Sequence, residues 1–130
     1  MPLDDATRAG LEAEVMATMA AYHDAFIDGT RDDLQALVHL PVIYVDETDV
    51  RVCDRYPFDP VKLRTLTEFS YSETETSITH LEATRAHLTI EGTRHREDGS
   101  VLESIQSFYI VQNRGEGWKV AIFSGIRGAL

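Results

Sequence analysis

The sequence predicts an α+β domain, in which N-terminal helices pack on one face of a strongly curved antiparallel sheet that encloses a pocket. Helical spacing of apolar residues is confined to the first half of the chain, whereas alternating segments dominate residues 86–125. The two longest alternating segments meet at Asp98-Gly99, a dipeptide typical of two-residue hairpin turns. Helices followed by antiparallel strands are the usual order of an α+β fold.

The composition fits one domain that covers residues 1–130. The hydrophobic fraction is 43%, enough for a core without disulfides or metals, and Cys53 is the only cysteine. Because the N-terminal residues lack the pattern of a secretory signal and no apolar run is long enough for a bilayer, we expect a cytoplasmic protein without a membrane partner. The net charge of -10 argues against nucleic-acid binding, which depends largely on Lys and Arg.

The first helix is predicted between Asp4 and Asp28, where apolar residues recur at helical spacing: Leu11, Val15, Met19, Tyr22 and Phe26. Gly29-Thr30 ends it, and a shorter helix is predicted over Arg31–Val38. We expect the run His39-Leu40-Pro41 to close this second helix, because proline disfavours helical geometry in the residue before it.

A first strand is predicted over Val42–Val45, and a hairpin through Asp46–Asp49 returns as Val50–Cys53. Pro57 and Pro60 then open a third helical stretch, whose apolar residues are expected to lie against the sheet: Val61, Leu63, Leu66 and Phe69.

The segment Ser70–Ser77 is polar and acidic and has no core pattern, so it is predicted to be an exposed connection. A single strand is predicted to follow it from near Ile78 to Arg96, with a bulge along its length.

A two-residue turn at Asp98-Gly99 would fix the pairing of the next hairpin, with Arg94 opposite Glu103, Ile90 opposite Ser107 and Leu88 opposite Tyr109. One face of this hairpin is then largely apolar. The other face is mixed and places Phe108 and Ile110 among polar residues, which predicts a homodimer through the outer sheet face. In the last segment the alternation puts Trp118, Val120 and Ile122 on one side and Ala121 and Phe123 on the other, with the pairing register left open.

Three segments of the chain resemble one known superfamily: AYHDAFIDGTRDDLQALV, HLPVIYVDE and DGSVLESIQSFYIVQNRGEGWKVAIFSG. They are similar to the nuclear-transport-factor-2-like superfamily, which includes the ketosteroid isomerases and the SnoaL-type polyketide cyclases. The resemblance implies a cone with an internal pocket for a small apolar molecule. It also implies cofactor-independent proton transfer on a small carbonyl compound, of the isomerase, cyclase or dehydratase type.

The resemblance further implies catalytic positions. Ketosteroid isomerases use a tyrosine on the first helix, an aspartate base at the end of the first strand and a protonated aspartate on a late strand. Tyr22 and Asp46 match the first two by residue type and spacing, and Tyr109 falls at the third. Each has a purely structural alternative, since Tyr22 and Tyr109 are suited to core packing and Asp46 to a local turn.

The ligand-binding residues predicted for the pocket are Phe26, His39, Leu88, Ile90, Glu103, Ser107 and Phe123. His39 has the alternative of bonding the last carbonyls of a helix, and Glu103 that of a simple cross-strand pair with Arg94. No metal site is predicted, because His80, His87 and His95 are spread along one extended segment.

Two hypotheses follow, an enzyme in which Asp46 moves a proton while Tyr22 and Tyr109 hold an oxyanion, and a non-catalytic ligand-binding or dimerisation module. The enzyme requires Asp46 and both tyrosine hydroxyls to meet in one cavity.

Overall fold

The computed structural model describes residues 2–127 of the chain. The helices in that range are α1 Asp5–Asp28, α2 Arg31–Gln35 and α3 Pro60–Leu66. The strands are β1 Val38–Val45, β2 Val50–Cys53, β3 Tyr71–Leu81, β4 Arg85–His95, β5 Val101–Asn113 and β6 Trp118–Arg127. No helix between residues 2 and 127 combines the length and the apolar character needed to cross a bilayer.

The strands form one curved, open sheet in the order β2-β1-β6-β5-β4-β3. β1 and β6 pair in parallel, whereas the other neighbouring pairs are antiparallel. The predicted class, helices on one face of a curved sheet, is therefore confirmed, and the sheet is mixed rather than wholly antiparallel.

The long helix α1 has the predicted extent. Asp4 caps it by accepting a hydrogen bond from the Thr7 N–H at 2.7 Å, and the Gly29 N–H donates to the Ala25 carbonyl at 2.8 Å where it ends. The residues that α1 buries against the sheet come from the predicted apolar stripe: Val15, Met19 and Tyr22.

The second helix is shorter than predicted, and the expected break at residues 39–41 is wrong. α2 ends at Gln35, and β1 already begins at Val38, which lies opposite Val120 of β6. Pro41 sits inside β1 after a cis peptide bond, where the register shifts between Val38 and Ile43. A proline is tolerated at such an irregularity because it has no N–H to contribute to the ladder.

The segment predicted as an exposed connection forms most of β3, and the single strand predicted from Ile78 to Arg96 is two strands. The Glu82 N–H donates to the Arg85 carbonyl at 2.7 Å in the turn between them. Between Ser72 and Ser77 exposed and half-buried residues alternate, but the half-buried positions hold Ser72, Thr74 and Thr76, so no apolar pattern marks this part of the strand. Its threonines favour strand geometry, which explains why it forms despite its polarity.

The β4–β5 hairpin has all three predicted pairs, Arg94 with Glu103, Ile90 with Ser107 and Leu88 with Tyr109. Its turn, however, has three residues, because the Arg96 N–H bonds the Ser100 carbonyl and Gly99 adopts a φ of +89°. A register shift at His95 compensates for the extra residue, so the predicted pairing is recovered with a different turn.

A second irregularity lies in β6, where Val120 pairs with Val111 but Ile122 pairs with Ile110. Ala121 is the extra residue of this bulge, and it reverses the alternation that the sequence predicts. Val120 and Phe123 therefore lie together on the inner face, and Ile122 lies on the outer face with Ile110.

The helix α3 begins later than predicted, and Asp59 caps it by accepting from the Val61 N–H at 3.0 Å. Val61 and Leu66 are exposed instead of packing on the sheet, whereas Phe69 is buried beyond the end of the helix. The Arg64 guanidinium ties α3 to the end of α1 by donating to the carbonyls of Phe26 at 3.0 Å and Gly29 at 2.7 Å.

The approach of β3 to β4 depends on Gly92, which lies opposite Thr74. A Cβ atom at this position would come within 2.1 Å of the Glu73 carbonyl oxygen, which belongs to the backbone of β3. Glycine inside a strand is typical of such close backbone approaches.

A tyrosine-lined cavity as the candidate functional site

A cavity of about 300 Å³ lies between α1, α3 and the inner face of the sheet. This volume is at the lower end of the range for small-molecule sites. Eight of its lining residues are apolar or aromatic: Phe26, Tyr44, Phe58, Pro60, Leu63, Leu66, Ile105 and Phe123. The polar lining residues include Tyr22, Tyr56, Asp59, Lys62, Thr67, Arg94, Gln106, Ser107 and Tyr109.

Three buried tyrosines from different parts of the chain meet at one wall of this cavity. Tyr22 comes from α1, Tyr56 from the loop after β2 and Tyr109 from β5. The Tyr22 and Tyr56 hydroxyls share a hydrogen bond. The Tyr22 ring meets those of Tyr56 and Tyr109 edge to face, with centroids 6.1 and 5.5 Å apart. Helix, loop and sheet together therefore position one cluster of phenols.

Burial keeps these phenols neutral. It raises the pKa of Tyr22 well above 10, and the neighbouring Tyr109 and Tyr56 add to that effect. Burial also raises the pKa of Tyr56 strongly and that of Tyr109, although the Tyr22 hydroxyl and the charge of Arg94 partly offset the rise at Tyr109. At neutral pH all three are hydrogen-bond donors and not phenolates.

The rings of Phe123, Tyr44 and Phe58 form an aromatic wall beside the phenols, in which neighbouring rings are stacked or packed edge to face. The Phe123 ring lies nearly parallel to those of Tyr56 and Tyr109, with interplanar angles of 7° and 9° and centroids 5.8 and 5.9 Å away. Tyr44 packs edge to face on Phe58 at 5.1 Å. Flat rings in such positions favour a planar or cyclic occupant.

Arg94, which lines the cavity, forms an ion pair with Glu103. Arg94 Nη1 donates to Glu103 Oε1 at 2.6 Å, and the two side chains are only 18% and 4% exposed. The Arg94 guanidinium also lies over the rings of Phe26 and Phe69, at 5.2 and 5.6 Å from their centroids. Glu103 Oε2 is buried and has no hydrogen-bond partner among the described residues.

The structure does not bring Asp46 into the cavity lining. Asp46 Oδ1 accepts from the Glu47 N–H at 2.7 Å, and Oδ2 accepts from Arg51 Nη2 at 2.8 Å. Its own N–H donates to the Asp49 carbonyl at 2.8 Å, so Asp46 organises the β1–β2 turn. Of the three side chains that were predicted to meet in the cavity, Tyr22 and Tyr109 do so and Asp46 does not.

The other predicted pocket residues divide into two groups. Phe26, Ser107 and Phe123 line the cavity together with Tyr22 and Tyr109. Leu88 and Ile90 belong to the hydrophobic core instead, and Glu103 reaches the site only through Arg94. His39 is remote from the cavity, and its Nε2 donates to the Gln112 carbonyl on β5 at 2.8 Å, not to the end of a helix.

Sequence reasoning missed Tyr56 and Asp59, which both lie in the loop that leads to α3. Tyr56 is one of the most deeply buried residues of the chain, at 1% exposure. The sequence signal was the aromatic pair Tyr56 and Phe58 around Pro57 in an otherwise polar stretch, because two large rings in a loop need a surface to pack on.

No protein-family model matches this sequence, and no curated protein is significantly similar to it in sequence. Solved structures do resemble it. A domain of unknown function with a cystatin-like fold from Nostoc punctiforme has 14% identity and a TM-score of 0.74, over 93% of this chain and 79% of that one. The hexachlorocyclohexane dehydrochlorinase LinA-type3 of Novosphingobium barchaimii has 8% identity and a TM-score of 0.66, over 97% and 92%.

A ketosteroid isomerase-like protein of Erwinia carotovora has 16% identity and a TM-score of 0.64, over 91% of this chain and 96% of that one. At such identities the likeness establishes a shared fold and leaves the chemistry to the site itself.

Proposed function

We propose that this chain, whose fold is that of the nuclear-transport-factor-2-like superfamily, binds a small, mostly apolar carbonyl compound in its aromatic cavity. The observation that carries the proposal is the cluster of three buried, neutral phenols next to aromatic and aliphatic side chains in one cavity. Apolar cavities with a few convergent polar groups are typical small-molecule sites.

The phenols have donor capacity left for a ligand. The three hydroxyls carry three protons. Tyr22 shares a hydrogen bond with Tyr56 and also interacts with the Tyr109 hydroxyl, so one proton of the cluster stays available. A carbonyl oxygen bound there would lie in a site of low polarity, where hydrogen bonds to developing negative charge are strong.

Binding of acetophenone, compared with toluene as a control without an oxygen, tests this proposal. Titration followed by NMR should show tighter binding of acetophenone to the wild type. Tyr56→Phe should weaken it about 5- to 10-fold, the equivalent of one hydrogen bond of about 1 kcal/mol. Tyr71→Phe is the matched control, because Tyr71 stacks on His95 and does not line the cavity. Equal binding of both compounds, or of neither, would refute the proposal.

A second candidate function is proton transfer, with Asp59 as the base in place of Asp46. Asp59 is the only carboxylate among the described lining residues, and its Oδ1 caps α3 while Oδ2 makes no hydrogen bond to the described residues. The names of two structural neighbours, a dehydrochlorinase and a ketosteroid isomerase-like protein, are consistent with such chemistry. Removal of a proton next to a carbonyl needs a base and a stabilised oxyanion, and here Asp59 and the phenols would supply them.

Exchange of the methyl protons of acetophenone in deuterated water tests this candidate. The wild type should accelerate the exchange, and Asp59→Asn should abolish the acceleration while keeping the helix cap, since asparagine caps as well as aspartate. Asp46→Asn, outside the cavity lining, should leave the rate unchanged. Loss of exchange in Asp46→Asn but not in Asp59→Asn would reverse the assignment.

We also propose that the outer sheet face forms a homodimer. Pairing across the strands brings together an uncharged apolar patch made of Ile43, Val45, Val50, Val52, Phe108, Ile110 and Ile122. Val50 and Val52 are 68% and 65% exposed, which is unusual for large apolar side chains. In a chain of net charge -10, an uncharged patch is the surface on which two copies repel each other least.

A further inference from the structure

The charged part of the cavity wall points to a more specific ligand class. Arginine has five N–H donors, and Arg94 uses Nη1 for its bond to Glu103 Oε1. Its Nε and Nη2 make no hydrogen bond to the described residues, and neither atom is fully buried. These two nitrogens form one edge of the guanidinium, the geometry that accepts a carboxylate through two parallel hydrogen bonds.

Arg94 is held firmly and close to the phenols. Glu103 fixes one side of the guanidinium, while Phe26 and Phe69 cover its face. The positive charge also opposes the rise in pKa of both Tyr56 and Tyr109, which places Arg94 in the electrostatic neighbourhood of their hydroxyls. A guanidinium that is already oriented loses little freedom when it binds a ligand.

We propose that the natural occupant is an acidic carbonyl compound, a small cyclic or aromatic ligand whose carboxylate pairs with the free edge of Arg94 while its carbonyl oxygen meets the tyrosines. This inference rests on the proposed function, since both need the same cavity. The charge balance of the lining supports it. Besides Arg94, its described members contain one cation, Lys62, and one anion, Asp59. With Glu103, the partner of Arg94, included, these charges balance, so an acid bound at Arg94 enters a wall without net negative charge, although the whole chain is strongly acidic.

Glu103 leaves the Nε–Nη2 edge of Arg94 open. Its Oε1 is engaged by Nη1, on the other side of the guanidinium from the free edge, and its Oε2 is buried away from solvent. Glu103 is thus a positioning residue that orients Arg94, in a pair whose side chains are 18% and 4% exposed. A carboxylate in the same wall needs its own pair of donors, which the Nε–Nη2 edge supplies.

Two ligands of nearly the same shape, the charged 3-acetylbenzoate and the uncharged 3-acetylbenzamide, test this inference, with acetophenone as the reference. Calorimetric titration of the wild type should show at least a 10-fold preference for the acid over the amide, and the preference should weaken as salt is added. Equal or tighter binding of the amide would overturn the inference. If acetophenone and the amide bind but the acid does not, the carbonyl site stands and the acid specificity falls. If none of the three binds, both proposals fail.

Variants test whether Arg94 causes the preference for the acid over the amide. Arg94→Met alone leaves the buried Glu103 carboxylate without a partner and can unfold the chain, so Arg94→Met combined with Glu103→Gln is the informative change. It should remove the 10-fold preference for the acid over the amide, measured as the ratio of the two affinities within the same variant. Arg51→Met is the matched control, because Arg51 carries the same charge but pairs with Asp46 outside the cavity lining. A preference that survives in the double variant, or disappears in Arg51→Met, would contradict the assignment to Arg94.

Discussion

Raising the pH above 10 should destabilise this protein through its buried tyrosines. In an unfolded chain a phenol ionises near pH 10, whereas burial raises the pKa of Tyr22, Tyr56 and Tyr109 in the folded state. The stability that these groups contribute is therefore fully present below pH 10 and is lost as the pH rises further, because the unfolded state then releases protons that the folded state keeps.

The size of this effect follows from the number of phenols. Compared with its value below pH 10, the free energy of unfolding at pH 11 falls by about 1.4 kcal/mol for each phenol that stays protonated in the folded state. Tyr22 and Tyr56, which share a hydrogen bond and have strongly raised pKa values, together give about 3 kcal/mol, and Tyr109 adds to it. Such a loss is a large share of the 5–15 kcal/mol typical of a folded domain.

Urea unfolding at several pH values from 8 to 11 measures this loss, with the fluorescence of the single tryptophan, Trp118, as the signal. Tyrosinate absorbance near 295 nm, recorded in parallel, should rise in step with unfolding for the three phenols. Tyr22→Phe should make the decline above pH 10 shallower. A free energy of unfolding that stays constant up to pH 11, or complete ionisation of all tyrosines before unfolding, would refute the reasoning.

The remaining predictions concern the fold and the surface. Gly92→Ala should destabilise the protein by about 1–3 kcal/mol in thermal or urea unfolding, because its Cβ would overlap the β3 backbone. Gly10→Ala, in α1 with no atom within 4 Å of the new Cβ, should instead stabilise it by about 1 kcal/mol, and a loss of stability there would contradict the helical assignment. Asp46→Asn should cost less than about 1 kcal/mol in the same assay, since it removes only a partly exposed ion pair with Arg51; a cost of several kcal/mol would mean that the carboxylate does more than organise a turn. Phe108→Glu should convert a dimer into monomers in sedimentation without loss of helical circular dichroism, and a wild type that sediments as a monomer at micromolar concentration would argue against the dimer.

The elements that the sequence predicted well are those in which one signal dominates. The spacing of the α1 stripe led to the right helix. The pairing of Arg94 with Glu103 is right although the turn has three residues instead of two, because a buried face admits only one register. The first part of β3 escaped prediction since its half-buried positions include Ser72, Thr74 and Thr76, which a pattern of apolar residues cannot detect. The bulge at Ala121 escaped for another reason, namely that an extra residue in one strand leaves no mark on composition.

The site was predictable to the extent that it lies on regular elements. Tyr22 and Tyr109 lie on a helix stripe and a strand face, so their direction follows from periodicity. Tyr56 lies in a loop, where no repeat indicates which way a side chain points. The catalytic position of Asp46 was inferred by counting residues along the segments that resemble the ketosteroid isomerases. Two local hydrogen bonds determine the orientation of its carboxylate instead. The spacing of residues along a chain does not indicate whether a carboxylate bonds to neighbouring groups or points into a cavity.

The position of β6 between β1 and β5 has a consequence for how the molecule assembles. β1 pairs with a strand that follows it by most of the chain, and Thr18 of α1 donates to the Trp118 carbonyl 100 residues later. Until β6 inserts, the β1–β2 hairpin and the β3–β5 meander are separate pieces with unpaired edges. Long-range pairing of this kind is associated with folding in milliseconds to seconds rather than microseconds. During synthesis the aromatic wall that includes Phe123 therefore forms only after β6 has been made, and until then the nascent chain exposes the unpaired edges of β1 and β5.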